Sequence, residues 1–213
     1  LIFWGENPAL QVGDMGTLGD SIWDGNNLAH SNTLAGGDLA WFQEVAGGAR
    51  RLLFYDFPKK SELKKHKINT LFLGPAWKDW SSETNSRVAL THGLKFRGGN
   101  PEDTGDLWGT SMVDEDWFIV NFLLKFYKFG FSRGTEYANT LIRSREITRE
   151  EGILFAEKYD EACAPEYIES FCRYVGLTEE EFWQTVRKFS HPELFDWSSG
   201  RPVKKFKVGV GIV

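Results

Sequence analysis

Leu1-Ile2-Phe3-Trp4-Gly5-Glu6-Asn7-Pro8 opens the chain, and its reading decides the fold. Four consecutive apolar side chains match a short strand covered on both faces, as in a parallel sheet, rather than the in–out alternation of a half-solvated one. Gly5 and Pro8 stop it. A second run of this kind, Asn69–Gly74, has Leu71-Phe72-Leu73 at its centre and Pro75 after it. Leu52-Leu53-Phe54-Tyr55 is a third candidate strand. Helical patterns fall between and after them: Asp38–Val45, ended by Gly47-Gly48; the basic stretch Lys59–Lys67; and Ser82–His92, ended by Gly93. Residues 10–36 carry many Gly, Asn and Asp and read as irregular. Strands alternating with helices predict an α/β fold with a doubly wound parallel sheet. Ligands of such sheets sit at the carboxyl ends of strands, where Gly5-Glu6-Asn7 and Pro75–Trp80 fall. The chain starts without Met and inside an apolar run. That leads us to expect an interior strand at Leu1–Trp4, within a larger sheet.

The character changes further along. Leu94–Met112 is rich in Gly and acids and reads as a long loop. Past Val113 the pattern is helical. Phe118, Phe122 and Phe126 recur at four-residue steps within Asp116–Lys128, an aromatic core stripe. Thr148-Arg149-Glu150-Glu151 and Thr178-Glu179-Glu180-Glu181 are capping boxes, in which hydroxyl and carboxylate satisfy amides of the first turn. Lys204–Val213 alternates weakly and predicts a short tail strand. The expected organisation is therefore an α/β region over 1–112 and a helical region over 113–213.

Composition narrows the function. With 213 residues, 41 % of them hydrophobic and 26 % charged, the chain is an ordinary globular one, neither a disordered tail nor a disulfide-stapled miniprotein. The longest apolar stretch is too short for a membrane span. A net charge of −5 argues against broad non-specific nucleic-acid binding. The two cysteines, Cys163 and Cys172, have no metal-ligand spacing and read as small apolar residues of a helix. No signal-peptide pattern is present, so cytoplasmic is the default location. The four His, at 30, 66, 92 and 191, form no triad or H-E-x-x-H arrangement. Gly47-Gly48 and Gly98-Gly99 lack the Lys-Ser/Thr of a phosphate loop. The five Lys within Lys59–Lys67 read as a solvated face, and so do the six acids within Glu102–Asp116. The acids also have the hard-oxygen chemistry that Mg²⁺ prefers.

Two constellations carry possible chemistry. Glu6 and Asn7 at a strand end offer a carboxylate and a carboxamide that can orient a ligand's hydroxyls or amide; a plain turn is the alternative. The second runs from Phe129 to Glu151. If 134–145 is helical, Glu136, Asn139 and Arg143 share one face, with Arg133 and Arg149 beside it. Such a group can grip a phosphate or an acidic sugar, because Arg binds oxyanions as a fork. A surface salt-bridge ladder explains the spacing equally well.

The same residues carry a family resemblance. Leu124–Phe131, Arg133-Gly134-Thr135-Glu136-Tyr137-Ala138-Asn139, Ile142-Arg143-Ser144, Ile147–Glu151, Tyr159-Asp160, Tyr167–Cys172 and Glu181-Phe182-Trp183 resemble, in order, the C-terminal region of N-acetyl sugar amidotransferases. Trp4-Gly5-Glu6-Asn7 is similar to that family's strand-GEN segment. These enzymes belong to the PP-loop ATP pyrophosphatase superfamily. The resemblance implies a partial Rossmann-like parallel sheet, the C-terminal part of a PP-loop ATPase domain, followed by a helical region. It also implies a reaction: a sugar's N-acetyl group becomes acetamidino, in lipopolysaccharide O-antigen or flagellin-glycan biosynthesis, including that of pseudaminic acid. An amide carbonyl is a poor electrophile, so ATP, with Mg²⁺, adenylates its oxygen; ammonia then attacks and AMP leaves. The ammonia is implied to come from glutamine through a separate glutaminase. The sugar, free or nucleotide-linked, and that glutaminase would be the partners, with neither nucleic acid nor membrane involved.

Glu6, Asn7, Arg133, Glu136, Asn139, Arg143 and Arg149 are the implied substrate- or nucleotide-binding residues, and no catalytic residue or metal ligand is assigned. The superfamily's S-G-G-x-D-S phosphate loop and N-terminal Cys cluster, a zinc site in relatives, are absent from this sequence. Both belong before a GEN strand, so zinc would concern only such a preceding part. This chain alone is expected not to bind ATP productively. Glu136 stands where relatives carry Asp, and Trp80-Ser81 where they carry Trp-Asp. Two non-catalytic alternatives are a carbohydrate-binding module, whose nine Trp would stack on sugars, and a glutaminase-docking domain using Lys59–Lys67.

Overall fold

The computed structural model describes residues 1–5, 40–52, 54, 58–74 and 81–212. Glu6, Asn7, the segment 10–36 and Pro75–Trp80 lie outside them. The chain forms two compact units, Leu1–Asn85 and Ser86–Val213.

In the first unit, β1 (Ile2–Trp4) pairs in parallel with β2 (Thr70–Phe72), in the register Ile2↔Thr70, Phe3↔Leu71 and Trp4↔Phe72. Both apolar runs are therefore strands, and parallel ones. Their burial differs. Phe72 is 2 % exposed, but Phe3 is 58 % exposed, so β1 is not the covered strand its composition predicts. Backbone pairing satisfies the strand's amides without covering its faces. Helix α1 (Ala40–Ala46) ends at Gly47-Gly48, as expected. The predicted strand at Leu52–Tyr55 is corrected. Leu52 closes a 3₁₀ turn, Ala49–Leu52, and Phe54 lies in a turn; Leu53 and Tyr55 fall outside the described residues. Leu52 is nonetheless buried. A short apolar run reports burial and not the backbone that achieves it. Helix α2 (Lys60–Lys65) turns only Leu63 inward and leaves its lysines exposed. A wider Rossmann-like sheet is not formed by the described residues.

Helix α3 (Ser82–Thr91) follows. The 94–112 loop is interrupted by one turn, α4 (Pro101–Thr104), which Pro101 starts and Gly105 ends with φ of 68°. Five helices then make up most of the second unit: α5 (Phe118–Phe129), α6 (Arg133–Arg143), α7 (Arg149–Tyr159), α8 (Pro165–Val175) and α9 (Glu179–Phe189). Of the α5 stripe, Phe126 joins the core, where it, Val120, Leu123 and Tyr127 meet Ile168 and Cys172 of α8, Phe182 and Val186 of α9, and Phe195; Phe118 and Phe122 instead pack on each other and beside Arg97 and Arg133. Each such side chain contributes about 1.5–3 kcal/mol on burial. Cys172 is a buried free thiol of this core, in keeping with a small apolar role, and Cys163 is free and half-buried.

Both capping boxes form. The Thr148 amide reaches Glu151 Oε2 at 2.7 Å, and the Glu151 amide reaches Thr148 Oγ1 at 3.2 Å. Thr178 and Glu181 repeat this at 2.8 and 3.2 Å. Helices α6 and α7 approach closely through two glycines. A Cβ on Gly152 would lie 2.6 Å from Ile142 Cδ1, and one on Gly134 would lie 3.0 Å from the Asp160 amide. Short antiparallel pairs finish the unit: β3 (Phe195–Asp196) with β4 (Val203–Lys204), and β5 (Phe206–Lys207) with β6 (Gly211–Ile212). The tail is thus a small hairpin and not one edge strand. Helices dominate the described residues, unlike an all-β binding module. Among them, no helix is long and apolar enough to cross a membrane.

Candidate functional site

The start of α6 is fixed from several directions. Ser132, almost fully buried, donates its hydroxyl to the Phe122 carbonyl at 2.8 Å. Asp160, at the end of α7, accepts from the Thr135 amide at 2.7 Å and from its hydroxyl at 2.5 Å. The absence of a side chain on Gly134 allows that approach. Burial pushes the Asp160 carboxyl above the usual range, against the two Thr135 hydrogen bonds that favour its charge.

This anchoring holds Arg133 in a polar cluster. Its side chain is 21 % exposed; Nη1 donates to Glu136 Oε2 at 3.1 Å, and Nη2 donates to Ser111 Oγ. The guanidinium lies over the Tyr137 ring, 4.5 Å from its centroid, and 5.5 Å from that of Phe122, a cation–π arrangement. Lys125 of α5 takes the other oxygen of Glu136. Tyr137 donates to the buried Asp106 and lies 3.1 Å from Ser111 Oγ. Asp106 also accepts from the Ser111 amide at 3.0 Å and the Trp108 amide at 3.3 Å. The Trp108 ring meets that of Tyr137 edge-on at 4.4 Å.

The electrostatics follow from this packing. Burial, with Asp106 beside it, pushes the Tyr137 phenol up to about 12, although Arg133 works the other way. Tyr137 is therefore a hydrogen-bond donor at neutral pH. Burial opposes the Arg133 charge, but Tyr137 and Glu136 outweigh it and raise its pKa. The cluster holds a permanent cation whose two terminal nitrogens donate to protein acceptors, while its buried Nε has no hydrogen-bond partner among the described residues.

The sequence-predicted residues separate into groups. Arg133 and Glu136 come together. Asn139 and Arg143 continue the same face of α6 and are exposed, with no side-chain hydrogen bond among the described residues. Arg149, in the first turn of α7, donates to the Gly209 carbonyl at 3.0 Å and so faces the tail hairpin. Glu6 and Asn7 lie outside the described residues.

Lys125, Ser111, Tyr137 and above all Asp106 were not singled out from sequence. The signal available for Asp106 was an Asp two residues before Trp108, the spacing of an Asx turn. The acidic loop's other groups also have protein partners: Glu102 with Lys158 at 2.6 Å, Asp116 with Arg97, and Glu115 with the Trp117 amide at 2.6 Å. Among the described residues no three His, Cys, Asp or Glu side chains are placed to hold a metal ion. Glu102, Glu115 and Asp116 thus fasten the loop to its neighbours.

Fold and site together define a helical domain with a rigid polar cluster at the start of α6 and an exposed Asn–Arg face beyond it. Residues 110–208, which contain the α6 residues of both though not Asp106 and Trp108, match the family model described as LPS biosynthesis protein WbpG-like, C-terminal domain. That similarity supports a WbpG-type family for this C-terminal portion and links it to lipopolysaccharide biosynthesis. No curated protein matches the chain.

Proposed function

We propose that the chain is the C-terminal part of an ATP-dependent N-acetyl sugar amidotransferase. It would convert an acetamido group to acetamidino in the cytoplasm, during lipopolysaccharide O-antigen or flagellin-glycan assembly, with ammonia delivered by a glutaminase partner. The observation that carries the proposal is the similarity of residues 110–208 to a lipopolysaccharide-biosynthesis domain. In this reading, β1 and β2 belong to a Rossmann-like sheet, and Glu6 and Asn7 act at the end of β1.

The described residues do not fit ATP with Mg²⁺. They include no phosphate-binding glycine loop and no metal-holding cluster, and the terminal nitrogens of Arg133 are engaged by Glu136 and Ser111. No step through the nucleotide is therefore assigned to them. Their proposed part lies on the sugar side. The Asn139 carboxamide and the Arg143 guanidinium, exposed on one face, can orient the sugar's amide and hydroxyls. Arg133, Glu136 and their partners hold that face still, whereas Arg149 faces the tail hairpin. A substrate held in one orientation meets ammonia without the entropic cost of alignment during reaction.

The test is AMP formation by the protein expressed from its complete reading frame. The proposal expects AMP release that requires both an acetamido sugar and ammonia. No AMP under those conditions refutes it.

A further inference from the structure

A cavity of about 620 Å³ opens in the second unit between α5, the start of α8, α9 and the 197–202 loop, with Tyr127, Trp183 and Trp197 in its wall. Glu161, Glu179 and Glu180 line it together with Arg187 and Arg201. Both signs of charge meet there, and no one ligand class is selected. The surface beside it is of one kind. It forms where the ends of α5 and α9 come together: the His191 amide, just past α9, donates to the Tyr127 carbonyl at 3.0 Å. The tail joins the same place. The Lys205 amide donates to the Leu194 carbonyl at 2.8 Å, and its Nζ to the Pro192 carbonyl at 3.2 Å. Gly130, in the turn between α5 and α6, packs so closely that a Cβ would lie 2.9 Å from Leu194 Cδ1 and 3.7 Å from the Phe206 ring.

Three phenylalanines are left in solvent here. Phe129 and Phe131, on either side of Gly130, are 52 % and 42 % exposed, with ring centroids 6.2 Å apart. Phe189 continues the buried stripe of Phe182 and Val186 past the end of the core and is 68 % exposed. Cations accompany these rings. Lys128 Nζ lies 5.3 Å from the Phe129 centroid, and Lys125 Nζ lies 5.0 Å from that of Phe131. Lys188 precedes Phe189, and the exposed Lys205 and Lys207 flank Phe206. From Arg187 to Val213 there are six Lys and Arg against two acids, Glu193 and Asp196, in a chain of net charge −5. Lysines in the last turn of a helix complement its dipole, which accounts for Lys128 and Lys188. It accounts for neither the tail lysines nor the exposed rings.

Exposed rings with ammonium groups beside them suit a partner that is apolar within and anionic at its rim. We propose that this end of the helical unit docks on an anionic lipid bilayer. Phe129, Phe131 and Phe189 enter the acyl boundary, and Lys128, Lys188, Lys205 and Lys207 lie among the lipid phosphates. A nucleic-acid strand needs a groove that tracks its backbone, whereas these rings stand at helix ends and a turn. Docking of this kind requires neither ATP nor ammonia, so it stands or falls separately from the amidotransferase reading.

The experiment is co-sedimentation of the 213-residue chain with vesicles of phosphatidylcholine alone, or of phosphatidylcholine and phosphatidylglycerol in equal parts. A labelled oligothymidylate serves as a second polyanion. Binding is expected with the anionic vesicles and not with the neutral ones. It should fall severalfold in about 1 M salt, where screening shortens electrostatic reach to about 3 Å. Lys128→Ala combined with Lys205→Ala should weaken it about fivefold per lysine. Phe129→Ser combined with Phe131→Ser should weaken it about tenfold, with charge and far-UV circular dichroism unchanged. The proposal is overturned if neutral vesicles bind as well as anionic ones, or if neither binds. It is equally overturned if either double variant binds as the parent does, or if the oligothymidylate displaces the vesicles.

Discussion

The Arg133 cluster and the aromatic cavity are built from the same helical unit and use their polar groups in opposite ways. Around Arg133, guanidinium, carboxylates, phenol and hydroxyl meet one another: Arg133 with Glu136 and Ser111, Glu136 with Lys125, and Tyr137 with Asp106. Around Trp183 and Trp197, Glu179 and Glu180 each accept one side-chain hydrogen bond, from Trp183 and Gln184, while Glu161 accepts from Tyr127 through one oxygen and pairs with Lys204 through the other. Mutual pairing makes the first region a fastener that fixes the start of α6, while the second presents carboxylates and guanidinium groups beside an aromatic wall.

Substitutions test that contrast. The largest effect belongs to the core that supports both regions. Phe126 is 2 % exposed, with ring contacts to Tyr127 and Phe195 at 5.4 and 5.3 Å. Phe126→Ala should cost about 3–5 kcal/mol by urea unfolding and should loosen the cavity wall through Tyr127. Asp106→Ala comes next. It leaves the Tyr137 hydroxyl and two amides without their acceptor in a buried place, at about 3 kcal/mol; a loss below about 0.5 kcal/mol, the range of surface substitutions, would mean that the cluster is no fastener.

Thr178→Ala removes a cap from α9, the helix that carries Trp183, and should cost about 1 kcal/mol in thermal unfolding. The same box has a pH signature. Hydrogen bonds from the Thr178 amide and hydroxyl hold the Glu181 carboxyl below its usual value. A lowered folded pKa makes this contribution fully present above about pH 4.3, the ordinary Glu value, and it is lost as the pH falls through the folded value. Melting temperatures measured across that acid limb should fall less steeply in Glu181→Gln than in the parent. The smallest effect on stability is expected at Asn139→Ala and Arg143→Ala, both within about 0.5 kcal/mol. Any loss of sugar-dependent AMP formation in these variants then reports on substrate and not on folding.

Local chemistry was the legible part of the sequence. Capping boxes at Thr148 and Thr178 need residues three apart, and the α5 stripe needs only four-residue steps, so both were visible. The parallel pairing of Leu1–Trp4 with Asn69–Gly74 was also legible as a strand type, because Leu1–Trp4 and the central Leu71-Phe72-Leu73 are continuous apolar runs. What depends on distant partners was not. The exposure of Phe3 is set by what covers a sheet face. Leu52 is buried from a 3₁₀ turn that apolar content cannot distinguish from a strand. Asp106 gains its role from Tyr137, 31 residues away. The cavity joins Tyr127, Trp183 and Trp197 from three separate segments, with nothing in the spacing to link them. Arg133 and Glu136 were found by spacing, while the partners that immobilise them, Ser111 and Lys125, were not.

Incubating the protein from its complete reading frame with ATP, an acetamido sugar and ¹⁵N-labelled ammonia tests the proposed activity most directly. The proposal predicts ¹⁵N in an acetamidino group on the sugar, matched by an equal amount of AMP. Unlabelled sugar, or nucleotide turnover to ADP without amidine, would contradict it.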